Sequence, residues 1–171
     1  IKFSSVNTSN ATNITLKTAS MAAFNEGERD GTGIKFSASG TKASVSTIQP
    51  IFTLRNKTTF LGYTNRIPTK MMGATISAEG TKTGFLGLGL DCTISSSAYG
   101  EIEVGNSIME ISTIAATVSG CKNLKQFAVA KTDSYPINLA DDNIILPPGH
   151  TLTFWAETTG VGANDYSATI N

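Results

Sequence analysis

Few side chains in this sequence are of the types that do chemistry, and their spacing limits what they could do. His150 is the only histidine. It follows Pro147-Pro148-Gly149 on a tight turn, where a ring is solvated or caps a strand, whereas a Ser/His/Asp triad needs a buried, oriented imidazole. Glu101 and Glu103 alternate on one face of a strand, and strand rise would set them roughly 6.5–7 Å apart. That separation suits an inverting glycosidase, so this pair is the one candidate for hydrolysis, although nothing nearby builds a sugar subsite. Asp141-Asp142-Asn143 lacks the glycine and distal glutamate of a calcium loop and reads as a solvated turn. Cys92 and Cys121 match no metal-ligand spacing. They form a disulfide if their strands adjoin, and otherwise stay as two buried free thiols. The inventory predicts no catalytic site, no metal and no cofactor.

Two further sets of residues could serve binding. Gly84, Gly87 and Gly89 alternate with leucines inside an apolar run, so they do not form the turn-before-helix of a dinucleotide fingerprint. Glycines on one strand face imply close approach of another backbone or side chain, and in an oligomer that neighbour is another subunit. Tyr63, Tyr135 and Trp155 are the candidate surface-binding aromatics; Trp155, like Tyr166, suits core or interface packing equally well. Met71 and Met72 offer an adaptable surface or core filling.

The totals narrow the function classes. The 171 residues fit one domain, 40% hydrophobic and only 15% charged, with Ser, Thr, Asn and Gly in place of the missing charge. Thirteen basic and thirteen acidic residues balance, so nothing electrostatic calls for nucleic acid. No 18-residue apolar run is present, and no membrane insertion is expected. The sequence starts at Ile1 and reads as processed, excised from a longer chain or incomplete.

The elements that must position these residues are short strands. Gln49 to Asn65, QPIFTLRNKTTFLGYTN, is the organising stretch: alternation from Ile51 (in) and Phe52 (out), a polar block, then Phe60 to Tyr63 before Asn65. Residues 34–37 and 43–48 read as strands around a turn at Ser39-Gly40-Thr41-Lys42. Later strands are expected at 70–78, 84–91, 107–111, 113–118, 125–131, 151–158 and 166–171. Helix is confined to Ala19–Phe24, and Ile14–Lys17 is a short strand. Asn7, Asn10, Asn13 and Asn56 each head an Asn-X-Ser/Thr triplet, read as chance in so Ser/Thr-rich a chain. About ten strands at turn spacings of roughly 8–12 residues, with no βαβ alternation, predict an all-β sandwich or jelly roll. Residues 1–48 are expected to be an N-terminal arm with the first strands, and residues 49–171 the sandwich, together one compact domain.

In order, FTLRNKTTFLGYTN (52–65), LGLDCTIS (88–95), NSIMEISTIAATVSG (106–120) and INLADDNIILPPGHTLTFWAET (137–158) resemble a family of small β-rich virion structural proteins of tailed bacteriophages. The resemblance spans residues 49–171. It departs at Asp91-Cys92, where Asn-Pro is commoner, and at Gly120-Cys121, which replaces a double glycine; two such departures suggest cysteines that lie close together without being essential. The resemblance implies a jelly-roll-like antiparallel β-sandwich on the virion exterior, often a homotrimer. The function expected from it is a non-enzymatic capsid decoration, or cement, protein whose partners are its own copies and the major capsid protein. The alternative is the head domain of a tail fibre or spike that binds a host-surface glycan or protein. Gly-faced strands and the lack of a collagen-like or heptad stalk favour the capsid.

Overall fold

The computed structural model describes residues 35–171. The helix expected at Ala19–Phe24, the strand at Ile14–Lys17 and the triplets headed by Asn7, Asn10 and Asn13 lie outside the described residues. Eight long strands carry the architecture: β1 (Ala38–Val45), β2 (Gln49–Asn56), β3 (Gly73–Glu79), β4 (Gly84–Leu90), β5 (Lys122–Val129), β6 (Asp133–Asn138), β7 (Thr151–Thr158) and β8 (Asn164–Ile170). No helix occurs among the described residues.

The long strands form two antiparallel sheets, ordered β1-β8-β3-β6 and β5-β4-β7-β2. This is the strand order of two Greek keys folded into a jelly-roll-like sandwich. On the second sheet, the short strand Met109–Ser112 pairs with β2, and Gly100–Glu101 pairs with that strand, making six strands in all. Three two-stranded ribbons complete the ladders: Thr93–Ile94 with Val118–Ser119, Thr69–Lys70 with Ile145–Leu146, and Thr59–Phe60 with Tyr63–Thr64.

Period-two patterning explains the first sheet. Ala74, Ile76 and Ala78 of β3 and Tyr166, Ala168 and Ile170 of β8 all point into the core, with more exposed residues between them. The central strands of the second sheet behave differently. Ile51, Phe52, Thr53 and Leu54 of β2 are all buried, and so are Leu152 to Ala156 of β7. The alternation expected for β2, with Ile51 in and Phe52 out, is therefore corrected. The β2–β7 register shifts between Phe52 and Pro50, which leaves Ile51 as the extra residue of a bulge. A bulge re-aims a side chain, and both Ile51 and Phe52 join the main core, Phe52 stacked on Phe154 at 4.8 Å between ring centroids. Burial of each such ring contributes about 2–3 kcal/mol.

Several boundaries also differ from the expectation. The turn placed at Ser39–Lys42 lies inside β1, which pairs with β8 from Ala38 to Lys42. Gly40 is there because a Cβ would come within 2.8 Å of Phe52 Cδ1. Residues 38–45 thus form one of the first strands expected before residue 49, and that strand pairs into the sandwich. Of the strand expected at 113–118, only Val118 enters a ladder.

A pinned hairpin finger and a disulfide-rooted strap

The organising stretch ends in a protruding hairpin. Phe60 pairs with Tyr63 across the two-residue loop Leu61-Gly62. Both loop residues have positive φ, 49° and 81°, the signs of a type I′ turn, which suits strand twist but favours Asn-Gly. Leucine in this left-handed region is strained. Burial does not hold it there, because Leu61 is 71% exposed; Tyr63 is 78% and Ile67 61% exposed.

Two buried asparagines fix the hairpin root. Asn56 Nδ2 donates to the carbonyls of Ile67 and Leu146, both at 2.9 Å. Asn65 Nδ2 donates to Asn56 Oδ1 at 2.8 Å and to the Lys57 carbonyl at 2.7 Å, and Asn65 Oδ1 accepts from the Ile67 amide at 2.9 Å. Asn56 is fully buried with both ends of its amide occupied, so the folded chain cannot present it for glycosylation. The network was missed in the sequence, where Asn56 and Asn65 look like ordinary turn residues.

Beside the root lies a shallow recess of about 370 Å³, lined in part by Arg55, Lys57, Thr58 and Glu110. Arg55 pairs with Glu110 at 2.7 Å and lies 4.0 Å over the Tyr99 ring. Lys57 pairs with Glu101 and lies over Phe60. The hydrogen bond from Lys57, with the backbone N–H of Gly105, holds the Glu101 carboxyl below its ordinary pKa. Burial raises the Tyr99 phenol. Glu101 thus serves a structural pair, and Glu103 bonds Asn106 instead of sharing a cleft with it. Asp142 pairs with Lys125, Asp141 accepts from Asn138, and no cluster of three His, Cys, Asp or Glu side chains able to hold a metal occurs among the described residues.

The second feature is the excursion between Cys92 and Cys121, which are 29 positions apart and joined as a disulfide. Leu90 and Lys122 pair just outside it, so β4 and β5 bring its two ends together. Asp91 and Gly120 turn the chain there with positive φ of 50° and 63°. Asp91 is anchored to the start of β7, its Oδ2 bonded to His150 Nδ1 at 2.8 Å and its Oδ1 accepting from the Thr151 amide at 3.1 Å. Partial burial pushes the Asp91 carboxyl up, but the His150 and Thr151 hydrogen bonds and the charges of His150 and Lys122 outweigh it, and the pKa lies below its ordinary value. His150 is thus an exposed partner of Asp91.

The middle of the excursion extends the edge of the second sheet beyond β2, and its two ends lie as a strap over the outer face of that sheet. Val118, Ile94 and the disulfide pack there with Trp155 and Phe85 as a second, smaller core. Trp155, expected as a surface-binding aromatic, is only 3% exposed because the strap covers it. Its Nε1–H finds no acceptor among the described residues. Gly87 and Gly89 of β4 make room for this second core, and Gly84, on the opposite face, makes room for Tyr166 of the main core. A Cβ on Gly87 would sit 2.0 Å from Trp155 Cε2 and Cζ2, and one on Gly89 would sit 2.7 Å from Cys92 Sγ. A Cβ on Gly84 would sit 2.0 Å from the Tyr166 hydroxyl and 2.4 Å from the Glu157 carbonyl. The expected close approach is present, but side chains and backbone of the same chain make it, which corrects the assignment of Gly84, Gly87 and Gly89 to a subunit interface.

Of the other aromatics, Tyr63 stands on the finger, and Tyr135 is partly exposed on β6, with its phenol raised by a hydrogen bond to Asp133. Met71 fills core and Met72 is exposed. No protein-family model matches the chain, and neither does a curated protein or a solved structure.

Proposed function

We propose that this chain is a non-enzymatic structural protein of the exterior of a bacteriophage virion, a capsid decoration protein that stabilises the shell through trimeric contacts. The observation that carries the reading is the finger: a strained, 71% exposed Leu61 beside Tyr63 and Ile67, on a root fixed by buried Asn56 and Asn65. Strain held without burial is a feature of interaction sites, and a rigid apolar tip loses little entropy when it enters a pocket on a partner. The disulfide suits an oxidising exterior. The carboxylates considered for hydrolysis are engaged by Lys57 and Asn106. On this reading the tip docks on the major capsid protein, and symmetric repetition multiplies each modest contact.

A second reading, the head of a tail fibre that binds a host-surface glycan or protein, is favoured by the exposed rings of Tyr63 and Tyr135. Copy number per particle separates the two. The capsid reading expects on the order of hundreds of copies, arranged as trimers, and loss of shell binding by Leu61→Asp with the fold retained. A few tens of copies or fewer would overturn it in favour of the tail.

A further inference from the structure

We propose that the Cys92–Cys121 disulfide is a redox latch on the root of the strap, and that its state decides whether Trp155 is covered. The attachments of the strap divide into two sets. Its far portion is tied independently of sulfur: Met109–Ser112 pairs with β2, Arg55 holds Glu110, and Lys42 Nζ donates to the Ala115 carbonyl at 3.1 Å. Among the described residues its root is held by the two-rung ribbon of Thr93–Ile94 with Val118–Ser119, the bonds of Ser95 to Thr117 and Ala116, and the disulfide. A two-stranded ribbon this short does not stand alone.

What the root covers also favours opening once the disulfide is gone. Among the described residues the buried Trp155 indole N–H meets no acceptor, and opening the root gives it access to water as a partner. Gly87 and Gly89 give the indole and the disulfide a flat floor without side chains that would hold either in place. The closed root is therefore maintained by the covalent bond, together with the packing of Val118 and Ile94. A dithiol reductant supplies two electrons and two protons, the S–S bond becomes two thiols, and the reductant closes to its own disulfide. The root then opens locally, while β2 keeps its edge strand and the sandwich stays folded. A disulfide oxidant reverses the exchange and closes the strap. The latch is a property of the strap alone and is independent of where the protein is used.

Trp155 is the only tryptophan in the sequence, so its emission reports on the root directly. The experiment compares purified protein before and after complete reduction by a dithiol, with thiols counted, using tryptophan emission, acrylamide quenching, far-UV circular dichroism and amide exchange. Expected on reduction are a red-shifted emission and greater quenching. Amide exchange at residues 92–95 and 117–121 should rise by on the order of a hundredfold, as loss of a loop-closing cross-link implies, with unchanged dichroism. The Cys92→Ser/Cys121→Ser variant should show the open signature with or without reductant. Unchanged emission and exchange at two titrated thiols would overturn the latch. So would unfolding of the whole sandwich on reduction, or two free thiols that persist in the presence of oxidised glutathione.

Discussion

Replacing Gly87 by alanine tests whether the glycine-lined strand exists to seat Trp155. In an unconstrained strand this change would be favourable by roughly 0.5–1 kcal/mol, because glycine loses the most backbone entropy on folding. Here the new methyl would lie 2.0 Å from two carbons of the indole, and the ring would have to retreat by roughly 1.5 Å to reach ordinary contact. The indole is rigid, β4 lies on one side of it, and Val118, Ile94 and the disulfide pack around it. Overpacking of a filled site costs about 1–3 kcal/mol, and outright loss of a buried tryptophan about 3–5 kcal/mol. We expect Gly87→Ala to destabilise by about 2–3 kcal/mol. The decisive comparison is a double-mutant cycle with Trp155→Ala, read by urea unfolding followed by far-UV circular dichroism, since the fluorophore is absent in two of the four proteins. If the methyl is harmful only because the ring is there, the double variant costs no more than Trp155→Ala alone, a coupling of about 2 kcal/mol. A Gly87→Ala protein within about 0.5 kcal/mol of the parent, or additive costs in the cycle, would refute the reasoning.

Asn65→Ala removes three hydrogen bonds at the root of the finger and leaves the Lys57 carbonyl and Ile67 amide without that partner; a loss of about 3 kcal/mol is expected by denaturant titration. Leu61→Asn should do the opposite, raising stability by about 1 kcal/mol because asparagine tolerates the left-handed turn, while removing the apolar tip and, on the proposed capsid reading, shell binding with it; a thermal melt paired with a capsid-binding assay checks both halves. For pH, the Asp91 and Glu101 carboxyls both titrate below their ordinary values of 3.8 and 4.5 in the folded chain. The stability they contribute is present above those values and is lost as pH falls through the depressed ones. The urea midpoint should therefore decline between about pH 5 and about pH 2, and His150→Ala should shrink the Asp91 share of that decline. A midpoint that is flat or rises on acidification would contradict the pairing.

The parts of this fold that were legible in the sequence are those with one covered face. β3 and β8 alternate because only their core side is buried, so Ala74, Ile76, Ala78, Tyr166, Ala168 and Ile170 could be assigned inward from spacing alone. β2 and β7 defeat that rule, because a local pattern records a strand's own side chains and not what is laid over them. Thr53 and Thr153 look like solvent-facing residues, yet both are fully buried and bond each other at 3.0 Å. The same limit hid Asn56, which looks like an ordinary turn residue in the sequence although its amide closes a network reaching Asn65 and Leu146.

Trp155 shows where the missing information resides. Its burial is decided by residues 92–121, which are brought back over β7 only because Asp91 and Gly120 turn the chain and Cys92 meets Cys121 beside the Leu90–Lys122 pair. The sequence did carry one trace of that arrangement: three glycines in the seven residues of β4, in a strand that would otherwise favour β-branched residues. Read as a demand for close approach, that trace was sound; read as a demand for another subunit, it named the wrong neighbour. A glycine face specifies that something lies within contact distance, and only the topology can say whether the same chain supplies it. Here the insertion between β4 and β5 supplies it at Gly89, β7 at Gly87 and β8 at Gly84. That leaves the exposed finger, rather than the glycine strand, as the surface on which partner binding should be sought.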